Sequence, residues 1–309
     1  MDFNYDVLDE SEKIIFALRS LYREYGYERY RMGKFEEYDL YSKNKDFLIS
    51  DAIITFTDTN GKLMALKPDV TLSIVKNNKD KPSEIQKLYY NENVYRVSKG
   101  SNSFKEIMQT GLECFGAVDN KCISEVLVLA ARSLAAVSEN YILEISDLEI
   151  LSAFIGDVPA DEQIKQAILK CFGEKNPHGI ARICSDNDID QKYADRLKEL
   201  MMLYGNPDDV IPELKKLCEG EGLEAEINKL VEVISVLKDS PAQGKVIIDF
   251  SAVSDMNYYN GIIFRGFIAG VPDGVLSGGQ YDKLMRKMGR RSGAIGFAVY
   301  LDKLQQLRR

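Results

Sequence analysis

Polar side chains flank a glycine in the segment around Gln109, and this local pattern has the clearest chemical content in the chain. Side chains alternate between the two faces of a strand, so Gln109, Gly111 and Glu113 would share one face. Gln and Glu would supply hydrogen-bond donors and acceptors, while the glycine would leave room for a ligand. A solvated sheet face with a glycine bulge has the same pattern. Both interpretations stay open on the pattern alone.

Two glycine-containing segments nearer the C-terminus are further candidates for a binding site. They are Tyr258-Tyr259-Asn260-Gly261 and Gly278-Gly279-Gln280-Tyr281-Asp282. A glycine pair lets a ligand approach the backbone, but a tight strand-to-helix connection explains it equally well. The phosphate-loop patterns G-x-x-x-x-G-K-[ST] and G-x-G-x-x-G do not occur, so neither common nucleotide fold is indicated.

The residue types that serve most metal sites and acid–base sites are scarce in this chain of 309 residues. His178 is its only histidine, and its five cysteines include no C-x-x-C pair. Both facts argue against a zinc site and against histidine-dependent catalysis. We expect reduced, buried cysteines, no metal and no cofactor.

Charge and hydropathy exclude further classes of protein. The chain has 40 Lys and Arg against 48 Asp and Glu, a net charge of -8, which disfavours a general nucleic-acid-binding protein. The chain has no apolar run of the roughly 18 residues that a membrane helix needs, and residues 1–6 lack the features of a signal peptide. We therefore expect a cytoplasmic protein with no membrane contact.

Periodic patterns predict the elements that would position the candidate residues. Asp9 and Glu12 form a capping-box pattern ahead of a helix that Gly26 ends. Two strands at 53–57 and 63–66 flank Asn60-Gly61, a strong hairpin signal. Further strands are predicted at 87–97, 104–115 and 141–145, and a helix at 125–137.

The second half of the chain begins with a change of pattern. Residues 159–241 have successive amphipathic helical patterns and no strand pattern, which indicates a helical insertion. Strands return at 245–250 and 258–267, followed by predicted helices at 280–288 and from Gly293 to the C-terminus. The predicted strands and helices together indicate an α+β fold, with an antiparallel sheet flanked by helices. We predict one domain formed by residues 1–158 and 242–309, interrupted by the insertion at 159–241.

Taken in order, these segments resemble the catalytic domain of histidyl-tRNA synthetase, a class II aminoacyl-tRNA synthetase, over nearly the whole chain. Residues 25–36 resemble motif 1, the dimer-forming segment, with Gly33 at its proline position. The other matching segments are Leu66-Lys67-Pro68-Asp69-Val70-Thr71, the motif 2 segments Tyr95-Arg96 and 109–116, the two histidine-specific segments 258–261 and 277–282, and the motif 3 segment 293–298. The helical insertion also lies where that family has one.

This resemblance implies an amino-acid pocket and a residue that would reach its ligand's carboxylate. The pocket would be lined by Asp69, Thr71, Gln109, Glu113, Tyr259 and Tyr281. Arg96 would contact both the carboxylate of the amino acid and a nucleotide phosphate. Carboxylates suit an ammonium ion and an arginine suits an oxyanion, so the implied roles are chemically reasonable.

The chain departs from the synthetase pattern where that family performs adenylation. Ser254 stands where an arginine helps to activate the carboxylate of histidine, and Lys303 stands for the arginine of motif 3. In motif 2, Ser98 replaces an acidic residue and a position near Ser103 replaces a loop arginine. Lysine is a poor substitute for a planar, bidentate phosphate clamp. Losing one preorganised donor costs on the order of a hundredfold to a thousandfold in rate, so we expect little adenylation.

We expect no anticodon-binding domain. A synthetase-like domain of this kind, with a more intact amino-acid pocket than ATP site, resembles the regulatory subunits of short-form ATP phosphoribosyltransferase. The resemblance implies a noncatalytic protein of histidine biosynthesis that is required for the activity of a short catalytic subunit and for feedback inhibition by histidine. It also implies a homodimer, formed through motif 1, within a hetero-octamer. No role for tRNA is expected.

Two other hypotheses stay open at this point. The chain could be a synthetase-like enzyme that activates an amino acid for transfer to an acceptor other than tRNA, because Arg96, Gln109 and Glu113 are present. It could also be a free-standing amino-acid sensor. Neither the site at which histidine binds nor the docking surface for the catalytic subunit follows from the sequence.

Overall fold

A computed structural model describes residues 7–48, 52–98, 103–253 and 258–304. A nine-stranded mixed sheet forms its centre, and a separate three-stranded sheet lies beside it. The strands are β1 (Glu28–Arg29), β2 (Phe35–Glu37), β3 (Thr55–Thr57), β4 (Leu63–Leu66), β5 (Ile85–Val97), β6 (Phe104–Gly116), β7 (Tyr141–Asp147), β8 (Tyr204–Gly205), β9 (Val246–Asp249), β10 (Ile262–Ile268), β11 (Leu276–Gln280) and β12 (Gly293–Tyr300).

The helices lie mainly before β5, between β6 and β9, and near the C-terminus. They are α1 (Glu10–Glu24), α2 (Tyr38–Ser42), α3 (Thr71–Asn77), α4 (Asn120–Val137), α5 (Leu148–Gly156), α6 (Glu162–Gly173), α7 (Pro177–Asp186), α8 (Gln191–Met202), α9 (Pro207–Leu217), α10 (Glu224–Ser235), α11 (Asp282–Lys287) and α12 (Leu301–Leu304). The predicted capping box is present at the start of α1, where Glu12 N donates to Asp9 Oδ1 at 2.9 Å and Asp9 N donates to Glu12 Oε2 at 3.0 Å.

The large sheet has the strand order β1-β5-β6-β12-β11-β10-β7-β9-β8. Its six central strands, from β5 to β7 in this order, pair with one another in antiparallel orientation, as predicted. The pairings of β1 with β5 and of β7 with β9 are parallel, so the complete sheet is mixed. The α+β fold class is therefore confirmed, and the parallel pairs refine it.

The prediction of a helix from Gly293 to the C-terminus is wrong. Residues Gly293–Tyr300 form β12, which pairs with both β6 and β11, and of the described residues after it, which end at 304, Leu301–Leu304 are helical. A short run of small and apolar residues does not distinguish a buried strand from a buried helix. The sheet decides the conformation here, because Ile295, Phe297 and Val299 face the core.

The hairpin predicted around Asn60-Gly61 is present as β3 and β4. Its last paired residues are Thr57 and Leu63, so the loop has five residues instead of the two of a tight turn. Asp58 Oδ1 accepts hydrogen bonds from the backbone N–H groups of Asn60 and Lys62, each at 2.8 Å. Gly61 adopts a positive φ of 79°, which glycine tolerates best.

One face of the large sheet packs against α1 and α4, and the opposite face is left for a cavity. Leu18 and Tyr22 of α1 and Leu127 of α4 are fully buried in the main core. A smaller apolar cluster on the opposite face includes Tyr90 and Tyr281. The sheet therefore separates a conventional core from the region that holds the candidate site.

Residues 162–235 contain five successive helices, α6 to α10, as the amphipathic patterns indicated. No strand is predicted in this region, yet β8 lies between α8 and α9 and pairs with β9 of the large sheet. A two-residue strand is too short to show periodicity. The division into one domain and an insertion at 159–241 stays a prediction.

Candidate functional site

All seven predicted site residues line one cavity of about 1090 Å³ on the face of the large sheet opposite α1 and α4. Gln109 and Glu113 point from β6, and Arg96 lies near the end of β5. Asp69 and Thr71 lie at the start of α3, Tyr259 precedes β10, and Tyr281 follows β11. These residues are Asp69, Thr71, Arg96, Gln109, Glu113, Tyr259 and Tyr281.

The seven predicted residues form a pocket at one end of the cavity, and Glu113 is at its centre. Its Oε1 accepts a hydrogen bond from Thr71 Oγ1 and its Oε2 accepts one from Tyr281 OH, both at 2.7 Å. Burial raises the pKa of Glu113 to about 8, and the nearby Asp69 carboxylate acts in the same direction. A cationic ligand group would favour the ionised carboxylate, which burial disfavours.

Asp69 is the second carboxylate of the pocket. Its Oδ1 accepts a hydrogen bond from Leu72 N at 2.8 Å, so the side chain also satisfies the first turn of α3. Burial raises its pKa, although this hydrogen bond and Arg96 act against the shift. Two carboxylates that both resist ionisation make this end of the cavity a good acceptor for a cation.

The backbone before Asp69 is tied to β5 at several points. Tyr95 N donates to Lys67 O at 2.9 Å, and Arg96 Nε donates to Pro68 O at 3.1 Å. The fully buried Lys67 also pairs with Glu92, with Nζ and Oε2 separated by 2.5 Å. Arg96 therefore contacts the segment that carries Asp69 as well as lining the cavity.

Aromatic rings form the apolar wall of the pocket. Tyr258 packs edge-on against Tyr259 at a centroid distance of 4.6 Å, and lies 6.0 Å from Tyr281. Tyr90 covers Gly111, where an added Cβ would lie 2.6 Å from the hydroxyl of Tyr90. The space above Gly111, expected to be free for a ligand, is therefore occupied by a side chain of the pocket.

The glycines of β11 and β12 make room for pocket side chains. A Cβ on Gly296 would lie within 1.9 Å of Glu113 Oε2, and a Cβ on Gly279 would lie 2.9 Å from Tyr259 Cδ1. The same Cβ atoms would also lie 2.5 Å from Leu112 O at Gly296 and 2.9 Å from Ile262 O at Gly279, so the close contacts are with the sheet as well as with the pocket. They explain the glycines without requiring that a ligand touch the backbone there.

The positions that depart from the synthetase pattern lie away from the cavity or outside the described residues. Lys303 does not line the cavity; its Nζ donates to Gly274 O at 2.8 Å and lies over the ring of Tyr300. Ser98 and Ser103 do not line it either. Ser254 is outside the described residues.

The cavity also contains residues that the sequence analysis missed. They belong to β7, β9, β10 and the C-terminal end of α6, and the charged ones are Glu144, Lys170, Glu174, Lys175, Asp249 and Arg265. Arg265 and Glu144 form an ion pair although they are 121 residues apart. No local sequence signal joins residues at such a separation.

The described part of the chain has no group of three or more His, Cys, Asp or Glu side chains that could hold a metal ion. Its five cysteines are free thiols, four of them buried. Within the same residues, no helix is long and apolar enough to cross a membrane.

Comparison with known proteins gives consistent results. The model of the histidyl-tRNA synthetase family matches residues 2–304. The chain is 28% identical over 297 residues to the ATP phosphoribosyltransferase regulatory subunit of Oceanobacillus iheyensis, covering 95% of this chain and 73% of that protein. It is 29% identical over 297 residues to the corresponding protein of Clostridium acetobutylicum, covering 93% and 72% of the two chains.

Two solved structures are similar in fold. An ATP phosphoribosyltransferase regulatory subunit/histidyl-tRNA synthetase from Bacillus halodurans has a TM-score of 0.84 at 24% identity, over 99% of this chain and 84% of that one. A chain of the ATP phosphoribosyl transferase (HisG:HisZ) complex from Thermotoga maritima has a TM-score of 0.74 at 19% identity, over 97% of this chain and 98% of that one.

Proposed function

The chain belongs to the histidyl-tRNA synthetase family, and from that premise we propose that it is a regulatory subunit of short-form ATP phosphoribosyltransferase in histidine biosynthesis. Its relatives in Oceanobacillus iheyensis and Clostridium acetobutylicum carry the name of that subunit. The HisG:HisZ complex that resembles it in fold supports a catalytic subunit as its partner. We propose that the complex acts in the cytoplasm.

One contrast within the structure carries the proposal. The amino-acid end of the cavity is fully assembled, with Glu113 held by Thr71 and Tyr281 at 2.7 Å. Lys303, at the motif 3 position of the phosphate-clamping arginine, is instead bonded to a backbone carbonyl at 2.8 Å. A protein that keeps the residues of an amino-acid pocket, but has a lysine bonded to a backbone carbonyl in place of a bidentate phosphate clamp, suits a sensor better than an enzyme.

In this proposal histidine is the effector and occupies the pocket around Glu113. Its ammonium or imidazole nitrogens would donate to Glu113 and Asp69, and its carboxylate would accept from Arg96. Regulation requires that histidine bind two states of the complex with different affinity, because a ligand that binds both states equally shifts nothing. The complex is proposed to be a hetero-octamer containing homodimers of this chain, formed through residues 25–36.

The test is the turnover of the same organism's short-form ATP phosphoribosyltransferase as this chain is titrated in, with and without histidine. We expect saturable activation that histidine reverses. Glu113→Ala should weaken histidine binding by more than about 1 kcal/mol, roughly fivefold, because a hydrogen bond to a charged group is lost. Glu199→Gln, an exposed change on α8, is the matched control and should leave histidine inhibition unchanged.

Absence of activation of an otherwise competent catalytic subunit would refute the proposal. Histidine-dependent exchange between ATP and pyrophosphate by this chain alone would instead support the synthetase-like enzyme. Histidine binding without either effect would support a free-standing sensor.

A further inference from the structure

The cavity extends well beyond the pocket around Glu113. A row of directly paired residues crosses the sheet from Gly111 through Ala298, Ser277 and Arg265 to Glu144. Strands are about 4.8 Å apart, so Arg265 on β10 lies about 14 Å across the sheet from β6. Tyr90 covers Gly111 at the start of the row, and the next two residues, Ala298 and Ser277, are small and line the cavity between its two ends.

The far end of the row is the part of this cavity that lies between the sheet and α6. We call it the α6 compartment and define it by Glu144, Lys175, Asp249 and Arg265, with Leu169 and Val253 as its apolar contacts. The whole cavity, at about 1090 Å³, is at the upper end of the range for drug-sized ligands. One amino acid at Glu113 therefore leaves this compartment unfilled.

Two ion pairs form the polar wall of the α6 compartment. Arg265 donates from Nε at 2.9 Å and from Nη2 at 2.5 Å to the same oxygen, Glu144 Oε1. Lys175 Nζ lies 2.8 Å from Asp249 Oδ2. Among the described residues, Arg265 Nη1 and Glu144 Oε2 have no hydrogen-bond partner. The ion pair thus keeps one donor and one acceptor that no other described residue uses.

The conformation of Lys175 is a second unusual feature of this compartment. Its φ of 51° lies in the left-handed region, directly after α6, where glycine is the usual residue. Its Nζ binds Asp249 and lies 4.9 Å from the centre of the Tyr204 ring. An ammonium group has three N–H donors, so Lys175 can still bind a further acceptor. The backbone strain is therefore retained at a residue whose charge faces the cavity.

The balance of charge selects the class of ligand. The charged residues at this end are three cations, Arg265, Lys170 and Lys175, and three anions, Glu144, Glu174 and Asp249. A polyphosphate would face the carboxylates, and a simple cation would face the basic groups. A zwitterion can satisfy both signs within a few ångströms.

We propose that the α6 compartment binds the α-ammonium and α-carboxylate groups of a free amino acid. The ammonium group donates to Glu144 and Asp249, and the carboxylate accepts from Arg265 Nη1 and Lys175. An aliphatic side chain can pack on Leu169 and Val253. Burial and the nearby Asp249 raise the pKa of Glu144, so an ammonium ion there would stabilise the ionised carboxylate. This inference concerns the chain alone and does not rest on its regulatory function.

The test is isothermal titration of the full chain with each of the twenty common L-amino acids, in the Glu113→Gln background. This background weakens the pocket at the other end of the cavity, so that binding to the α6 compartment is measured separately. We expect at least one amino acid to bind with the same Kd, within threefold, in wild type and in Glu113→Gln. The double variant Glu144→Gln/Arg265→Gln should bind it at least tenfold more weakly, while Arg182→Gln, an exposed change on α7, should not.

Two further measurements keep the test decisive if the double variant does not fold. The amide of the same amino acid and the corresponding acid without the amino group should each bind at least tenfold more weakly to the Glu113→Gln chain. Lys175→Gln, at a half-exposed side chain, should also weaken binding. The inference is wrong if no amino acid binds independently of Glu113, or if both analogues bind as well as the parent. It is equally wrong if only inorganic phosphate or AMP depends on Arg265.

Discussion

Replacing Glu113 by glutamine should make the stability of the protein less dependent on pH. The carboxyl group is buried and its pKa is raised from 4.5 to about 8. Between these two values the folded protein holds a proton that the unfolded chain releases. The free energy of unfolding therefore falls as pH rises through this range. The contribution of Glu113 to it is complete below pH 4.5 and is lost above pH 8.

The size of this effect follows from the shift in pKa. Each pKa unit corresponds to about 1.4 kcal/mol, so the free energies of unfolding at low and at high pH differ by about 5 kcal/mol. About 3 kcal/mol of this difference is lost by pH 7. Glutamine resembles the protonated carboxyl group in shape and does not titrate. Thr71 and Tyr281, which donate to Glu113 in the native protein, can donate to the amide oxygen or accept from the amide nitrogen.

The assay is urea unfolding of wild type and Glu113→Gln at intervals from pH 4.5 to 9, with Glu199→Gln as the exposed control. Wild type and Glu113→Gln should be about equally stable near pH 4.5, and the variant should be more stable by several kcal/mol at pH 9. The control should follow wild type throughout. A difference between wild type and Glu113→Gln that stays constant across this range would refute the assignment of Glu113 as a buried, neutral acid.

Other predictions concern packing, a buried ion pair and a helix cap. Gly296→Ala should cost about 2 kcal/mol or more by urea unfolding, because its Cβ would lie 1.9 Å from Glu113 Oε2, whereas Gly156→Ala, with open space around it, should be close to neutral. Lys67→Met should destabilise by about 3 kcal/mol, because it leaves Glu92 without its partner, and adding Glu92→Met should recover most of the loss in a double-mutant cycle. Asp9→Ala should lower the free energy of unfolding by about 1 kcal/mol through loss of the capping box on α1; an unchanged urea midpoint would contradict this.

The pocket around Glu113 was predictable because two independent arguments reach the same residues. Strand alternation alone places Gln109 and Glu113 on one face, and the structure places both in the cavity. The contributions of Asp69 and Tyr281 came only from the family resemblance, because they lie far from β6 in sequence. The histidine ligand itself stays a prediction.

The features that sequence reasoning missed are those that long-range pairing decides. β12 lacks the alternation of an exposed strand, because it is buried between β6 and β11 and needs small residues on one face. Gly111 was expected to leave room for a ligand, and Tyr90 from the neighbouring strand fills that space. The pair of Arg265 and Glu144 depends on the register between β10 and β7, which no local pattern records.

The position of β12 in the sheet also has a consequence for how the protein folds. β12 is the last described strand in the chain, yet it lies between β6 and β11 and is the link between β1-β5-β6 and β11-β10-β7-β9-β8. During synthesis, Glu113 and Tyr281 therefore belong to two unconnected half-sheets until residues 293–300 have left the ribosome. Such non-local pairing is slow and exposes unpaired strand edges in the meantime. The cavity can bind a ligand only after this last strand has been inserted, so a bound ligand would stabilise the completed chain and not its folding intermediates.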